Sequence, residues 1–98
     1  MFDYREYEIK KIVQLSDKDI LLLDMFRMRL PFESVANVVA INNINGEMIW
    51  LIEKPHSHHD IYEDIYLRNE KLLAFTSGSF LHEINLKTGK VIESKMIK

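Results

Sequence analysis

The 98 residues contain no cysteine, which excludes disulfides and thiolate-ligated zinc. Glycine occurs three times and proline twice, so each marks a turn or break worth reading individually. Neither sign of charge dominates: 13 Lys and Arg stand against 15 Asp and Glu, a formal net charge of −2. That argues against a nucleic-acid binder relying on bulk positive potential. No apolar run is long enough to span a bilayer as a helix, and the opening Met1-Phe2-Asp3-Tyr4-Arg5-Glu6 is too charged for a signal peptide. A soluble, cytoplasmic protein without membrane or nucleic-acid contact is therefore expected. With 47 % hydrophobic and 29 % charged residues, the composition is globular. One domain, residues 1–98, fits this length, and it can bury about two-thirds of its unfolded surface without staples.

The chain is organised around residues 78–92. Phe80, His82, Ile84 and Leu86 fall on one face of a strand, because side chains alternate with period two. Lys87-Thr88-Gly89-Lys90 turns the chain, Gly89 supplying positive φ, and Val91-Ile92 restarts the β-rich run. An echo lies upstream. Ile41, Asn42, Gly46 and Ile49 stand 43 residues before Ile84, Asn85, Gly89 and Ile92. A period of about 40–50 residues marks propeller blades. Residues about 7–53 then form repeat one and about 62–97 repeat two, with Ile41 and Ile84 expected in like surroundings.

The rest of the chain divides accordingly. Residues 7–15 alternate as a strand, although Ile9, Ile12 and Val13 also suit a short helix. Ser16 to Asp19 reads as a turn. Residues 20–28 are nearly continuously apolar, a pattern open to a buried strand or to a helix capped by Ser16; placement in a repeat favours the strand. Residues 29–36 hold Pro31 and form a loop. Residues 54–61 are polar, broken by Pro55, and separate the repeats. Strands follow at Tyr62–Arg68 and Leu72–Thr76, with turns at Asn69-Glu70 and Ser77-Gly78. The sum is an all-β fold of about eight strands in two four-stranded antiparallel meanders, blade-like and packed together. Lys and Glu residues at 5–11 and 93–98 read as edge protection.

Chemistry has few footholds. His56-Ser57-His58-His59-Asp60 has metal-binding residue types but lacks helical ligand geometry, and it needs a distant partner such as His82 or Glu63. A solvated linker explains it as well, so no metal or cofactor is expected. His82 faces inward and reads as a satisfied core or interface histidine before a catalytic base, since no serine–carboxylate partner can be placed beside it. Trp50, the lone tryptophan, reads first as packing and second as an exposed anchor. Glu53, Asp60, Tyr62, Glu63, Asp64 and Tyr66 mix carboxylates with aromatics, as an interface against a basic protein surface does. These six and Trp50 are the candidate partner-binding residues. No catalytic residue is assigned; a reading as an enzyme using His58, His59 and Asp60 has no supporting geometry.

The two hairpins, 35–53 and 78–95, resemble the blades of quinoprotein-like (PQQ-like) β-propellers. No cofactor ligand of that family can be matched in this chain. Taken whole, the elements at 20–24, 37–50, 60–62 and 84–92 resemble the small bacterial immunity proteins encoded beside toxins of contact-dependent growth inhibition systems. That resemblance implies a cytoplasmic, non-catalytic inhibitor that covers the active site of a cognate toxin domain, commonly a nuclease. The alternative is a structural module that self-assembles into a propeller-like homo-oligomer, because two blades cannot close a ring of 4–8.

Overall fold

A computed structural model of the chain describes residues 2–25, 34–57 and 59–97. After a 3-10 turn at Tyr4–Glu6 come β1 (Glu8–Gln14), β2 (Lys18–Asp24), β3 (Val38–Asn42) and β4 (Met48–Leu51). Then follow β5 (Tyr62–Arg68), β6 (Lys71–Thr76), β7 (Phe80–Ile84) and β8 (Val91–Met96). They form two four-stranded antiparallel sheets ordered β1-β2-β3-β4 and β5-β6-β7-β8. The fold is all-β, as the alternation predicts. Residues 20–24 take the strand alternative, while 26–33 lie outside the described residues. The turn expected at 16–19 is shorter: Lys18 and Asp19 already pair with Asn42 and Ile41. Among the described residues no helix is long and apolar enough to cross a membrane.

The likeness of the two halves extends beyond the echo visible in the sequence. In the first sheet Asn42 Oδ1 accepts from Ile44 N and Asn45 N, and Gly46 N donates to Asn42 O. In the second, Asn85 Oδ1 accepts from Lys87 N and Thr88 N, and Gly89 N donates to Asn85 O. Both glycines sit at φ 74°, where a Cβ is disfavoured. Each hairpin also has a β-bulge at the same place, between Ala40 and Ile41 and between Glu83 and Ile84. The leading hairpins match as well. The β1–β2 register shifts between Ile9 and Lys11, and the β5–β6 register between Tyr62 and Asp64, positions 53 residues apart. The offset changes from 53 to 43 because the β2–β3 connection is ten residues longer than its β6–β7 counterpart.

The repeats use opposite faces to build their common core. In the first sheet the face toward the core carries Ile20, Leu22, Val38, Ala40 and Trp50. By register these correspond to Leu73, Phe75, Leu81, Glu83 and Glu93, which lie on the outer face of the second sheet. The core-facing Ala74, His82 and Ile84 correspond instead to Leu21, Val39 and Ile41, on the outer face of the first. Ile41 and Ile84 are therefore in unlike surroundings, half-buried on an outer face and buried in the core, contrary to expectation. The sheets pack through unlike faces, and such packing leaves two non-equivalent outer faces.

Those outer faces are treated differently. On the first, Phe2, Tyr4, Tyr7 and Met25 pack over Leu21, Leu23 and Val39, and Tyr4 Oη donates to Gly46 O at 2.6 Å. Ile9 and Ile12 on β1 remain 48 % and 47 % exposed. On the second sheet Tyr66, Leu73, Phe75 and Leu81 are half-buried.

Candidate functional site

Two places concentrate chemistry: a hydrogen-bonded cluster built by Glu53, His56, Ser57 and Asp60, and the outer face of the second sheet.

The cluster begins with Asp60. Its residue is 2 % exposed, so its carboxylate needs donors. Ser57 Oγ and Ser77 Oγ donate to it, as does Gly78 N at 2.8 Å. The carboxylate also takes its neighbour's Ile61 N at 2.9 Å. Burial pushes the Asp60 carboxyl upward, but the Ser57, Ser77 and Thr76 hydroxyls and the Gly78 amide outweigh it and hold it below the usual range. Gly78 is required by close approach: a Cβ there would lie 2.7 Å from Asp60 Oδ2. The sequence motif Ser77-Gly78 is thus a lock for the loop.

Glu53 ties the same loop to β8. Its Oε2 meets His56 Nε2 at 2.5 Å, and its Oε1 accepts from Val91 N at 3.0 Å. The His56 contact, then the Val91 amide, lower the Glu53 carboxyl. Glu53 N donates to Gly89 O, and Tyr62 Oη donates to Glu53 O at 2.7 Å. Tyr62 is 2 % exposed; burial first, then Glu53 and Asp60, push its phenol upward. Asn37 clamps β5 from the other sheet. Its Nδ2 donates to Tyr62 O and Leu23 O, and its Oδ1 accepts from Tyr62 N.

His82 lies beneath this loop. It is wholly buried, as the alternation of β7 predicts. Its surroundings differ from those expected of a satisfied core or interface histidine, because among the described residues neither ring nitrogen has a hydrogen-bond partner. The ring packs against His56 at 5.1 Å, Tyr62 at 5.9 Å and Phe80 at 6.3 Å between centroids. Burial and then His56 lower its basicity, while Asp60 and Glu53 oppose them.

This arrangement builds a lock. Ser57 and Ser77 aim their hydroxyls at Asp60 and not at a histidine, so they do not form the relay of a nucleophilic hydrolase. Among the described residues no group of three histidines and carboxylates is placed to hold a metal ion. His58 lies outside the described residues.

The chain matches a family model described as a domain of unknown function, DUF7957, over residues 4–96. The chain belongs to that family. No curated protein matches it. The match covers both sheets, so the family domain and the two-meander unit coincide.

The candidate residues separate into an inner and an outer group. Trp50, at 6 % exposure, is interior: its Nε1 donates to Leu86 O at 2.9 Å, and its ring lies on Gly89. It pins the first sheet to the β7–β8 turn, which corrects its inclusion among partner-binding residues. Asp60 and Tyr62 are buried and Glu53 half-buried; these three belong to the lock, not to a contact surface. Glu63, Asp64 and Tyr66 do reach the surface. Glu63 occupies the β5 bulge and lines a shallow groove with Lys10, Asp24 and Ile61. Asp64 pairs with Lys11 at 2.8 Å, its counterpart in the first repeat.

Tyr66 shares its outer face with Leu73, Phe75 and Leu81, which sequence reasoning missed. The signal was present in Leu72-Leu73-Ala74-Phe75: a strand apolar on both faces expects cover on both. Around this apolar column stand Lys71 with Glu83 at 3.8 Å and Lys95 with Glu93 at 3.8 Å.

Proposed function

We propose that the chain is a non-catalytic, protein-binding inhibitor, an immunity protein that neutralises a cognate bacterial toxin domain, a nuclease in our reading, by covering its active site. One observation carries the binding role. The outer face of the second sheet places Leu73, Phe75 and Leu81 at positions whose first-repeat counterparts, Ile20, Leu22 and Val38, are wholly buried core. An apolar column ringed by paired charges is the anatomy of a protein interface. Exposed Glu63 and nearby Asp64 add negative charge at the β5 end, suited to a basic cleft that otherwise holds phosphates. The immunity role rests on the sequence resemblance alone.

The experiment reads the neighbouring reading frames for a large secreted protein with a variable C-terminal domain and titrates that domain calorimetrically against this chain. Phe75→Ala should weaken binding about thirtyfold, as loss of a buried aromatic anchor does. Glu63→Lys with Asp64→Lys should weaken it at least about tenfold. Unchanged affinity in both variants would show that the face is wrong.

Self-assembly into a ring is the rival. It requires the second sheet's outer face of one copy to stack on the first sheet's outer face of the next. The Phe2, Tyr4, Tyr7 and Met25 cover over β2 and β3 stands in the way, so the binding module is favoured. Sedimentation separates the two: a monomer or dimer fits the inhibitor, and a discrete higher multimer fits the ring.

A further inference from the structure

His82 is the residue least accounted for by the fold. A wholly buried imidazole without a hydrogen-bond partner among the described residues is costly to keep and more costly to charge. Its cross-strand neighbours on β6 and β8, Ala74 and Ser94, carry no charge. Titratable groups approach it from the 53–60 segment, which brings Glu53, His56 and Asp60, and from β5, which brings Tyr62. Lys90 acts on Glu53 from the β7–β8 turn. The neutral cover, Phe80, belongs to β7 itself.

These covers are not held equally. Tyr62 and Phe80 lie within hydrogen-bonded strands. His56 lies on a connector, its side chain 52 % exposed and held through Glu53. A proton on His82 therefore places a charge in a sealed pocket whose weakest wall is another imidazole. Water reaches that charge most cheaply by displacement of His56, with the strands left in place.

We propose that Glu53, His56, Ser57 and Asp60 form an acid-operated latch over His82: protonation of His82 lifts these residues from the second sheet while both sheets stay paired. The direction follows from linkage. His82 is less basic closed than open, so the open form binds more protons. The closed latch is fully favoured above the ordinary histidine value of 6.5 and is lost progressively as pH falls from there toward the lowered value. Asp60 and Glu53, both lowered from ordinary carboxyl values of 3.8 and 4.5, resist opening until more acidic conditions. The window between 6.5 and those ordinary carboxyl values is therefore the one in which protonation of His82 acts. The latch is independent of the inhibitor reading.

Amide hydrogen exchange by NMR on the intact chain tests it. Corrected for intrinsic exchange, protection of Glu53 N, Val35 N and Val91 N, which bond Gly89 O, Asp60 O and Glu53 Oε1, should fall by up to about tenfold per pH unit in this window. Amides of β2 and β3 should hold. His82→Leu, which fills the site without titrating, should abolish the pH dependence. Where that variant does not fold, the His82 ring Cε1–H resonance of the natural chain serves instead, and its titration must coincide with the loss of protection. Protection that is constant with pH, a loss shared equally by β2 and β3, or titration of His82 without local opening would each overturn the latch.

Discussion

Trp50→Ala should lower the unfolding free energy by about 3–5 kcal/mol, measured by urea denaturation, the range for deleting a buried large aromatic. Small domains hold about 5–15 kcal/mol in total, so much of the stability would go. The reason is its position. The indole extends the inward face of β4, pairs across to Ala40 and reaches the second sheet through Leu86 O. Lys18 Nζ, on a buried residue, donates to the same carbonyl at 2.9 Å. Trp50→Phe keeps most of the ring and leaves Leu86 O its lysine, so it should cost less, about 1–2 kcal/mol. Gly89 gives the reciprocal test. A Cβ there would meet Trp50 Cε3 at 2.6 Å, at a φ of 74°. Gly89→Ala should be strongly destabilising in the natural chain and less so in the Trp50→Ala background, where only the backbone strain remains. A double-mutant cycle reads that difference as coupling.

Asp60→Ala should have the second largest effect, about 3 kcal/mol or more in the same assay. The substitution leaves the Ser57 and Ser77 hydroxyls and the Gly78 and Ile61 amides facing a methyl group, and hydrogen bonds to a charged acceptor contribute about 1.5–3 kcal/mol each before relaxation. Asp60→Asn keeps the shape but loses the charge and one acceptor, so it should fall between. The pH dependence has a definite sign. The carboxyl is lowered in the fold, so its stabilisation is present above the ordinary value of 3.8 and is lost as pH falls through the lowered one. Asp60→Asn should remove that part of the acid limb and leave the histidine window untouched.

The turns were legible in the sequence because they are local. Asn42, Gly46, Asn85 and Gly89 act on backbone within four residues of themselves, and such interactions repeat wherever the residues do. The leading hairpins repeat as faithfully, Lys10 and Glu63 occupying equivalent bulges, but share little side-chain identity and sit behind a longer connection. Their period was therefore invisible. The exchange of faces was not readable from Ile41 and Ile84, since one turn sequence serves either orientation; contacts between sheets decide which side becomes core. The inward position of His82 followed from alternation, yet its lack of partners depends on residues 53–60 folding across it. Trp50 and Tyr62 show the same division. Their aromatic character marked them as anchors, and packing between the repeats decided that they anchor this chain to itself.

The most direct measurement is chemical-shift mapping of the labelled chain during titration with the toxin domain that the inhibitor reading calls for. The expected result is perturbation centred on Tyr66, Leu73, Phe75 and Leu81, tapering through Asp64 and Glu63. Perturbation confined to Ile9, Ile12 and the cover of the first sheet, or none at saturating partner, would contradict the claim that the outer face of the second sheet is the binding surface.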